Sequence, residues 1–344
     1  MPEVSKRTRI AIDAMGGDHA PEEIVKGAIQ AAQKDHVEIV LVGLMDVLEK
    51  ELGKYNSSRS LPVRCVAASD VIKENEPPSL AIRRKSNCSI AVATKLVKTG
   101  EADAVVGAGS SGAVAVSAIQ YLGMVEGMER PAICVPLSSF APNVLLIDFG
   151  ANVDCKPYQL LAFAVAGTVY ARKIFNIANP AVGLLSTGSE KNKGNEVVRE
   201  TYPLLEKSDL NFIGNIEGND ILSGRANVIV CDGFVGNIII KFYESIGKYA
   251  MNWMKRKVNG HPLVSSVARL SFNKIFPVSK LSYESEDMGG GILWGIDGVV
   301  RIAHGASRAP HIAHAIASAS NAVDIDLVGS LKSELAKLKK EGKM

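Results

Sequence analysis

The sequence predicts an α/β fold: an α/β/α sandwich on a doubly wound, mostly parallel sheet, with a projecting helical segment. Three observations predict it. Short runs rich in Val, Ile and Leu alternate with helical stretches along almost the whole chain. The runs are continuously apolar, as strands covered on both faces should be. Most of them end in Asp, Gly or Ser, where a strand must turn into the next helix.

In chain order, strands are expected at residues 9–13, 37–43, 104–107, 132–137, 144–148, 182–186, 228–232 and 299–304. Helical stretches are expected between them at 22–34, 89–98, 157–173, 196–206 and 237–254, with a charged, solvated helix at 331–340. Residues 258–282 break the alternation. They are basic, dotted with Leu263, Val264, Val267, Leu270, Phe272, Ile275 and Phe276, and punctuated by Pro262 and Pro277. Short amphipathic helices projecting from the sheet are expected there. With no internal repeat and no low-complexity linker, residues 1–344 read as one large unit, and 245–283 as a basic projection within it.

Composition excludes several classes. Five cysteines, Cys65, Cys88, Cys134, Cys155 and Cys231, are scattered with no C-x-x-C pair, which argues against a disulfide framework or a structural zinc. The longest near-apolar stretch, 160–171, is far short of the roughly 20 residues that span a bilayer. The first apolar run is broken by Asp13, too early for a signal-peptide core, so a cytoplasmic protein is expected. Aromatics make up only 6%, too few for a single-strand stacking platform. Net charge is +3, yet residues 245–283 hold seven Lys/Arg and no Asp or Glu. That surplus is local, and it predicts one acidic partner or surface instead of nucleic acid.

The chemistry-bearing residues gather at strand ends, where open α/β sheets bind ligands. The first such end carries Asp13, Gly16 and Gly17, and reads equally as a tight turn with a capping aspartate. The second, Gly107 to Gly112 with Ser110 and Ser111, lies between a strand and a helix and suits a phosphate cradle, although it is neither a Walker loop nor a full G-x-G-x-x-G. The third holds Asp148 and Asn152, and the fourth Lys193 and Asn195, a candidate anion clamp. The fifth holds Asp232 and Asn237, with Lys241 one turn on, and the sixth His304 and Ser307. His304 is better placed for chemistry than His36, His261, His311 or His314. Asp13, Asp148 and Asp232 close strands without needing a metal, and no metal or other cofactor is expected. Taken singly, each end is as consistent with turn chemistry as with catalysis.

Together they match a family. IAIDAMGGDHAP at 10–21, AIRRK at 81–85, ADA at 102–104, RP at 130–131, DFGANVD at 148–154, KGN at 193–195, FIGNIEG at 212–218, CDGFVGN at 231–237, and His304-Gly305 with Ser307 occur in that order. The chain thereby resembles the bacterial phosphate acyltransferase (PlsX) family of phospholipid synthesis over about residues 8–322. Ser110-Ser111 stands where the family has Asn-Thr, Cys88-Ser89 where it has two serines, and 289–295 is a looser match. The resemblance implies transfer of a long-chain acyl group from acyl carrier protein to inorganic phosphate, in a homodimer associated peripherally with the membrane or with a membrane glycerol-phosphate acyltransferase.

That reaction asks little of acid–base chemistry, because phosphate is already anionic and the leaving thiol has a pKa of about 8.5. Positioning and electrostatics should dominate. Gly109, Ser110, Ser111, Gly112, Asn195 and Lys193 are expected to hold phosphate. His304 and Asn237 are expected to face the oxyanion or sulfur, with Asp232 and Asp148 orienting them and Asp13, Gly16, Gly17, Asn152 and Ser307 in support. Lys255, Arg256, Lys257, Arg269 and Lys274 are expected to meet carrier protein or membrane. The rival readings are an enzyme using acyl-coenzyme A, a decarboxylating dehydrogenase on a related sheet, and a non-catalytic membrane scaffold.

Overall fold

The computed structural model describes residues 7–34, 37–55, 60–73, 75–137, 141–259 and 291–343. The expected projecting helices, with Arg269 and Lys274, lie outside the described residues. The elements in the first half are β1 (Thr8–Asp13), α1 (Glu22–Lys34), β2 (Val37–Gly43), α2 (Met45–Leu52), β3 (Val63–Ala67), α3 (Pro78–Arg84), α4 (Ser89–Lys98), β4 (Ala104–Gly107), α5 (Ser111–Tyr121), β5 (Ala132–Pro136) and β6 (Leu145–Ile147). There follow α6 (Pro157–Lys173), β7 (Val182–Leu185), α7 (Glu196–Lys207), β8 (Phe212–Ile216), a 3₁₀ turn (Gly218–Asp220), β9 (Val228–Val230), α8 (Gly233–Asn259), β10 (Gly291–Trp294), β11 (Val299–Ile302), α9 (Ala309–Asp324) and α10 (Leu327–Lys340).

Among the described residues eleven strands join one sheet in the order β3-β2-β1-β4-β11-β10-β5-β6-β9-β7-β8. The pairs from β3 to β11 are parallel, as are those from β6 to β8. The three pairs in the middle, β11–β10, β10–β5 and β5–β6, are antiparallel. The two parallel blocks therefore run in opposite directions. The strand ends on which the sequence places the chemistry therefore do not lie along one edge of the sheet; the first block's ends and the second block's ends approach its middle from opposite sides.

Three strands went unforeseen, each for a physical reason. β3 and β8 are the two sheet edges, only partly covered, and β3 carries Arg64 within its run. β10 has four residues, too few for a periodic signal.

Side chains alternate between the two faces. Ile10 and Ile12 join one core with α1, α6, α9 and α10, while Ala11 joins the core under α4 and α5. Helix α6 is buried along its whole middle, from Gln159 to Ala171, because α7 and α10 pack over it. Over the second block, the opposite face is covered by α8 through Val235, Ile239 and Ile240. Helices α5 and α8 thus share one face of the sheet and leave a gap over its antiparallel middle. The gap is a cleft lined by both helices.

Candidate active site

Three strand-end loops of the first block meet backbone to backbone. A Cβ on Gly16 would lie 2.7 Å from Asp13 Oδ2 and 2.8 Å from Gly109 N, so no side chain fits between the β1 and β4 ends. The Asp18 N–H donates to Gly305 O at 2.9 Å, tying the same loop to the end of β11. Gly17 lies between Ala108 and Gly305. Asp13 is buried and accepts from the Ser89 hydroxyl and the N–H groups of Met15 and Gly16; burial nevertheless pushes its carboxyl above the ordinary value. With Gly16, Gly109 and Ser110 it lines a small hollow under Val71 and Ile72. Asp13 is thus a structural brace for the loops.

In the second block the motifs 148–154 and 231–237 interlock. The Asp148 carboxylate accepts five N–H donors: Ile133 N at 3.0 Å, Gly150 N at 3.3 Å, Ala151 N at 3.2 Å, Asn152 N at 2.8 Å and Asn152 Nδ2 at 2.9 Å. Burial raises its pKa and the donors work against that rise. A carboxylate so enclosed shapes the loop and is no metal ligand. Asn152 also donates to Pro131 O at 2.7 Å. Asp232 caps α8, accepting from Val235 N at 2.8 Å. A Cβ on Gly236 would stand 2.0 Å from Asp148 O, so α8 starts in direct backbone contact with the β6 end.

These two frames open onto one cleft of about 240 Å³. Ser111 lines it from the start of α5, and Asn237, Ile240 and Lys241 line it from α8. Ile133, Phe149, Gly150, Gly291, Ile302, Ala303 and His304 form the rest. At the head of α5, the Ser110 side chain makes no capping hydrogen bond, which leaves the first-turn N–H groups for another acceptor. His304 Nδ1 accepts from Ala306 N at 3.2 Å, so the neutral ring carries its proton on Nε2. Ser307 is buried behind it, its N–H donating to His304 O at 2.9 Å.

The expected phosphate ligands do not converge. Asn195 caps α7, accepting from Val198 N at 3.0 Å. With Gly194, Ser186, Thr187 and Asp232 it borders a second, more apolar hollow of about 320 Å³. Lys193 is exposed beside Gly194, its stem near Gly188. That hollow meets α8 at Val235 and Ile239, on the opposite side of the helix from Asn237 and Lys241. The structure therefore groups Ser111, Asn237 and His304, and separates them from Lys193 and Asn195. Sequence reasoning missed the part of Phe149 and Gly150 in the cleft wall and left Lys241 unassigned. The four-residue spacing from Asn237 to Lys241 was the signal for the latter. Arg256 is exposed near the end of α8; Lys255 and Lys257 belong to the same helix.

Residues 8–329 match the family model described as fatty acid synthesis protein. The chain is 45% identical over 336 residues to a phosphate acyltransferase of Pelotomaculum thermopropionicum, covering 97% of each. It is 44% identical over 328 residues to one of Heliobacterium modesticaldum, covering 95% of this chain and 97% of that one. Among solved structures it is similar to a phosphotransacetylase from Streptococcus pyogenes, with a TM-score of 0.62 at 19% identity, covering 94% of this chain and 95% of that one. A 4-hydroxythreonine-4-phosphate dehydrogenase from Klebsiella pneumoniae has a TM-score of 0.52 at 11% identity, with 94% and 99% covered. At such identities the two structures speak for the fold alone.

Proposed function

The chain belongs to the fatty acid synthesis protein family, and from that membership we propose that it moves a long-chain fatty acyl group from the thioester of an acyl carrier protein to inorganic phosphate, giving acyl phosphate for phospholipid synthesis. Acyl transfer to phosphate is the reaction class of its curated relatives. The observation that carries the proposal is the cleft in which the head of α5, the first turns of α8 and His304 face one another.

In this reading phosphate sits at the N-terminus of α5, against the N–H groups and hydroxyls of Ser110 and Ser111, where the helix dipole favours an anion by about 0.3–1 kcal/mol. One phosphate oxygen attacks the thioester carbon. Its C–S bond breaks as the new C–O bond forms, and the sulfur leaves as thiolate and takes up a proton. Asn237 and His304 Nε2–H donate to the carbonyl oxygen as charge develops there. Asp148 and Asp232 act through the loops they hold, and Asp13 through the β1–β4 junction. Asn195, at the second hollow, and Lys193, exposed nearby, take no part in this seat.

Two further features belong to the proposal. A homodimer is supported by a stripe of large apolar side chains left exposed along α8. Peripheral contact with an anionic membrane, or with a membrane glycerol-phosphate acyltransferase, is supported by the basic run around the exposed Arg256. Among the described residues no helix is long and apolar enough to cross a membrane.

The deciding assay follows free carrier thiol released from palmitoyl carrier protein. Thiol should appear only when phosphate is present, with one acyl phosphate formed per thiol. Release from palmitoyl-coenzyme A but not from the carrier would overturn the donor, and release without phosphate would overturn the acceptor.

A further inference from the structure

The AIRRK run at 81–85 forms the last four residues of α3 and its C-cap, and the mechanism above uses none of it. Ala81 and Ile82 are buried beneath the helix. Leu80, Arg83 and Arg84 lie on its opposite side at i, i+3 and i+4, with Leu80 47% exposed. Lys85 is engaged, its Nζ lying 2.7 Å from Glu76 Oε1 and 2.9 Å from Val71 O. Neither Arg83 nor Arg84 is paired with an acidic side chain among the described residues. Lys95 adds positive charge nearby, donating to Ser86 O at 2.6 Å and lying over the Tyr121 ring.

The helix that carries this face starts beside the cleft, next to the head of α5. Helix α3 packs against α5. A Cβ on Gly112 would lie 2.8 Å from Pro78 Cγ, so the start of α3 abuts the residue after Ser111. Seven helical residues span about 10 Å, which keeps the backbone of α3 within about that distance of the head of α5.

We propose that the Leu80–Arg83–Arg84 face of α3 is the docking surface for the acidic carrier protein that delivers the acyl thioester. The inference rests on the carrier-dependent reading above. A donor held on a flexible arm needs its protein body seated close to the cleft. Arginines suit carboxylates on such a body because their planar fork can bind bidentately. An exposed leucine between them supplies an apolar anchor at the centre of the contact. A purely structural use for the arginines also exists, since cations in a last turn complement the helix dipole. That use would affect stability without distinguishing one acyl donor from another.

The test compares the Arg83→Glu/Arg84→Glu variant with the unaltered enzyme on two donors, palmitoyl carrier protein and palmitoyl-pantetheine. KM for the carrier donor should rise about tenfold, with kcat changed less than about twofold. Kinetics with palmitoyl-pantetheine should match the unaltered enzyme. Added salt should depress kcat/KM for the carrier donor in the unaltered enzyme and much less in the variant. Leu80→Ala, which leaves charge untouched, should raise the same KM. Calorimetric titration with carrier protein gives a second readout independent of turnover, and the variant should bind more weakly. An unchanged carrier KM and affinity overturns the proposal, as does equal loss with both donors. It is also overturned if the variant fails to float with phosphatidylglycerol vesicles yet keeps the carrier KM, since the face would then meet lipid. If the unaltered enzyme binds carrier protein but uses only palmitoyl-coenzyme A, the donor reading fails and this assignment with it.

Discussion

At His304 a single hydrogen bond decides which nitrogen can act. Because Nδ1 accepts the Ala306 N–H, the neutral ring presents a donor at Nε2. His304→Ala should therefore lower kcat about 10²- to 10³-fold, the usual cost of losing one oxyanion donor. His304→Gln, which restores an N–H, should recover part of the loss. A kcat within about twofold in the alanine variant, well below the usual effect of such a donor, would remove the imidazole from the reaction path. The cysteines illustrate the opposite outcome. Burial pushes Cys134 and Cys155 up to about 12, and Cys231 also well above its ordinary value. Of the five, only Cys65 is not buried. Maleimide at neutral pH should label native protein at Cys65 alone, because thiolate is the reactive form. The same shifts fix a pH dependence. A folded-state pKa above the unfolded value means that the unfolded chain sheds protons first as pH rises. The thiols' contribution is thus fully present below about pH 9 and is lost as pH climbs toward 12. Urea midpoints should fall between pH 8 and 10, and a flat profile would contradict the burial. The scattered spacing of the cysteines argued against a disulfide framework, and the fold shows which thiols are buried. The split between Ser111 and Lys193 was not, because both stand on glycine-rich strand ends and only the fold reveals that a helix separates them.

Between elements, the contact of α8 with the β6 end depends on the absence of side chains. At Gly236 an added methyl would meet the Asp148 carbonyl at 2.0 Å, and that carbonyl belongs to a loop pinned by five donors. Alanine would gain about 1 kcal/mol of helix propensity. Overpacking against backbone that cannot yield costs about 3 kcal/mol, so the clash wins. Gly236→Ala should lower Tm by several degrees and reduce kcat more than His304→Gln does, since Asn237 moves with the helix. A stable, fully active variant would show that α8 can slide away from the β6 end. Helix and strand positions in this region were readable because the buried runs are long or β-branched. Helices α1, α4 and α6 have the bounds that the sequence predicts. The edge strands and four-residue β10 escaped because a short or half-solvated strand leaves little periodic trace. The start of α8 also escaped, lying four residues earlier than expected at 233; a glycine pair looked like a turn when it was a close approach.

Across the whole molecule, the reversal of strand direction between β11 and β6 has two consequences. It opens the cleft between α5 and α8, so the site belongs to both blocks of the sheet and could not be assembled from either alone. No single motif in the sequence encodes that reversal, because parallel and antiparallel strands of three or four buried residues have the same composition. It also sends α8 outward from the cleft, with one side against the core and another open. Phe234, Ile238, Phe242, Ile246, Tyr249 and Trp253 are each at least half exposed, spaced by three or four residues along that open side. A contiguous stripe of this size is unusual on a monomer. Burying the exposed part of six such side chains against a second copy would contribute about 1–2 kcal/mol each before association costs, enough to hold a dimer. Phe242→Lys/Tyr249→Lys should therefore convert a dimer to a monomer in sedimentation equilibrium at micromolar concentration. Neither position touches the cleft, so palmitoyl-pantetheine turnover by the monomer should stay within about threefold of the dimer if each copy holds a complete site. If the double variant remains dimeric, the stripe is covered by something other than its twin. If it becomes monomeric and inactive toward the small donor, the partner copy completes the cleft.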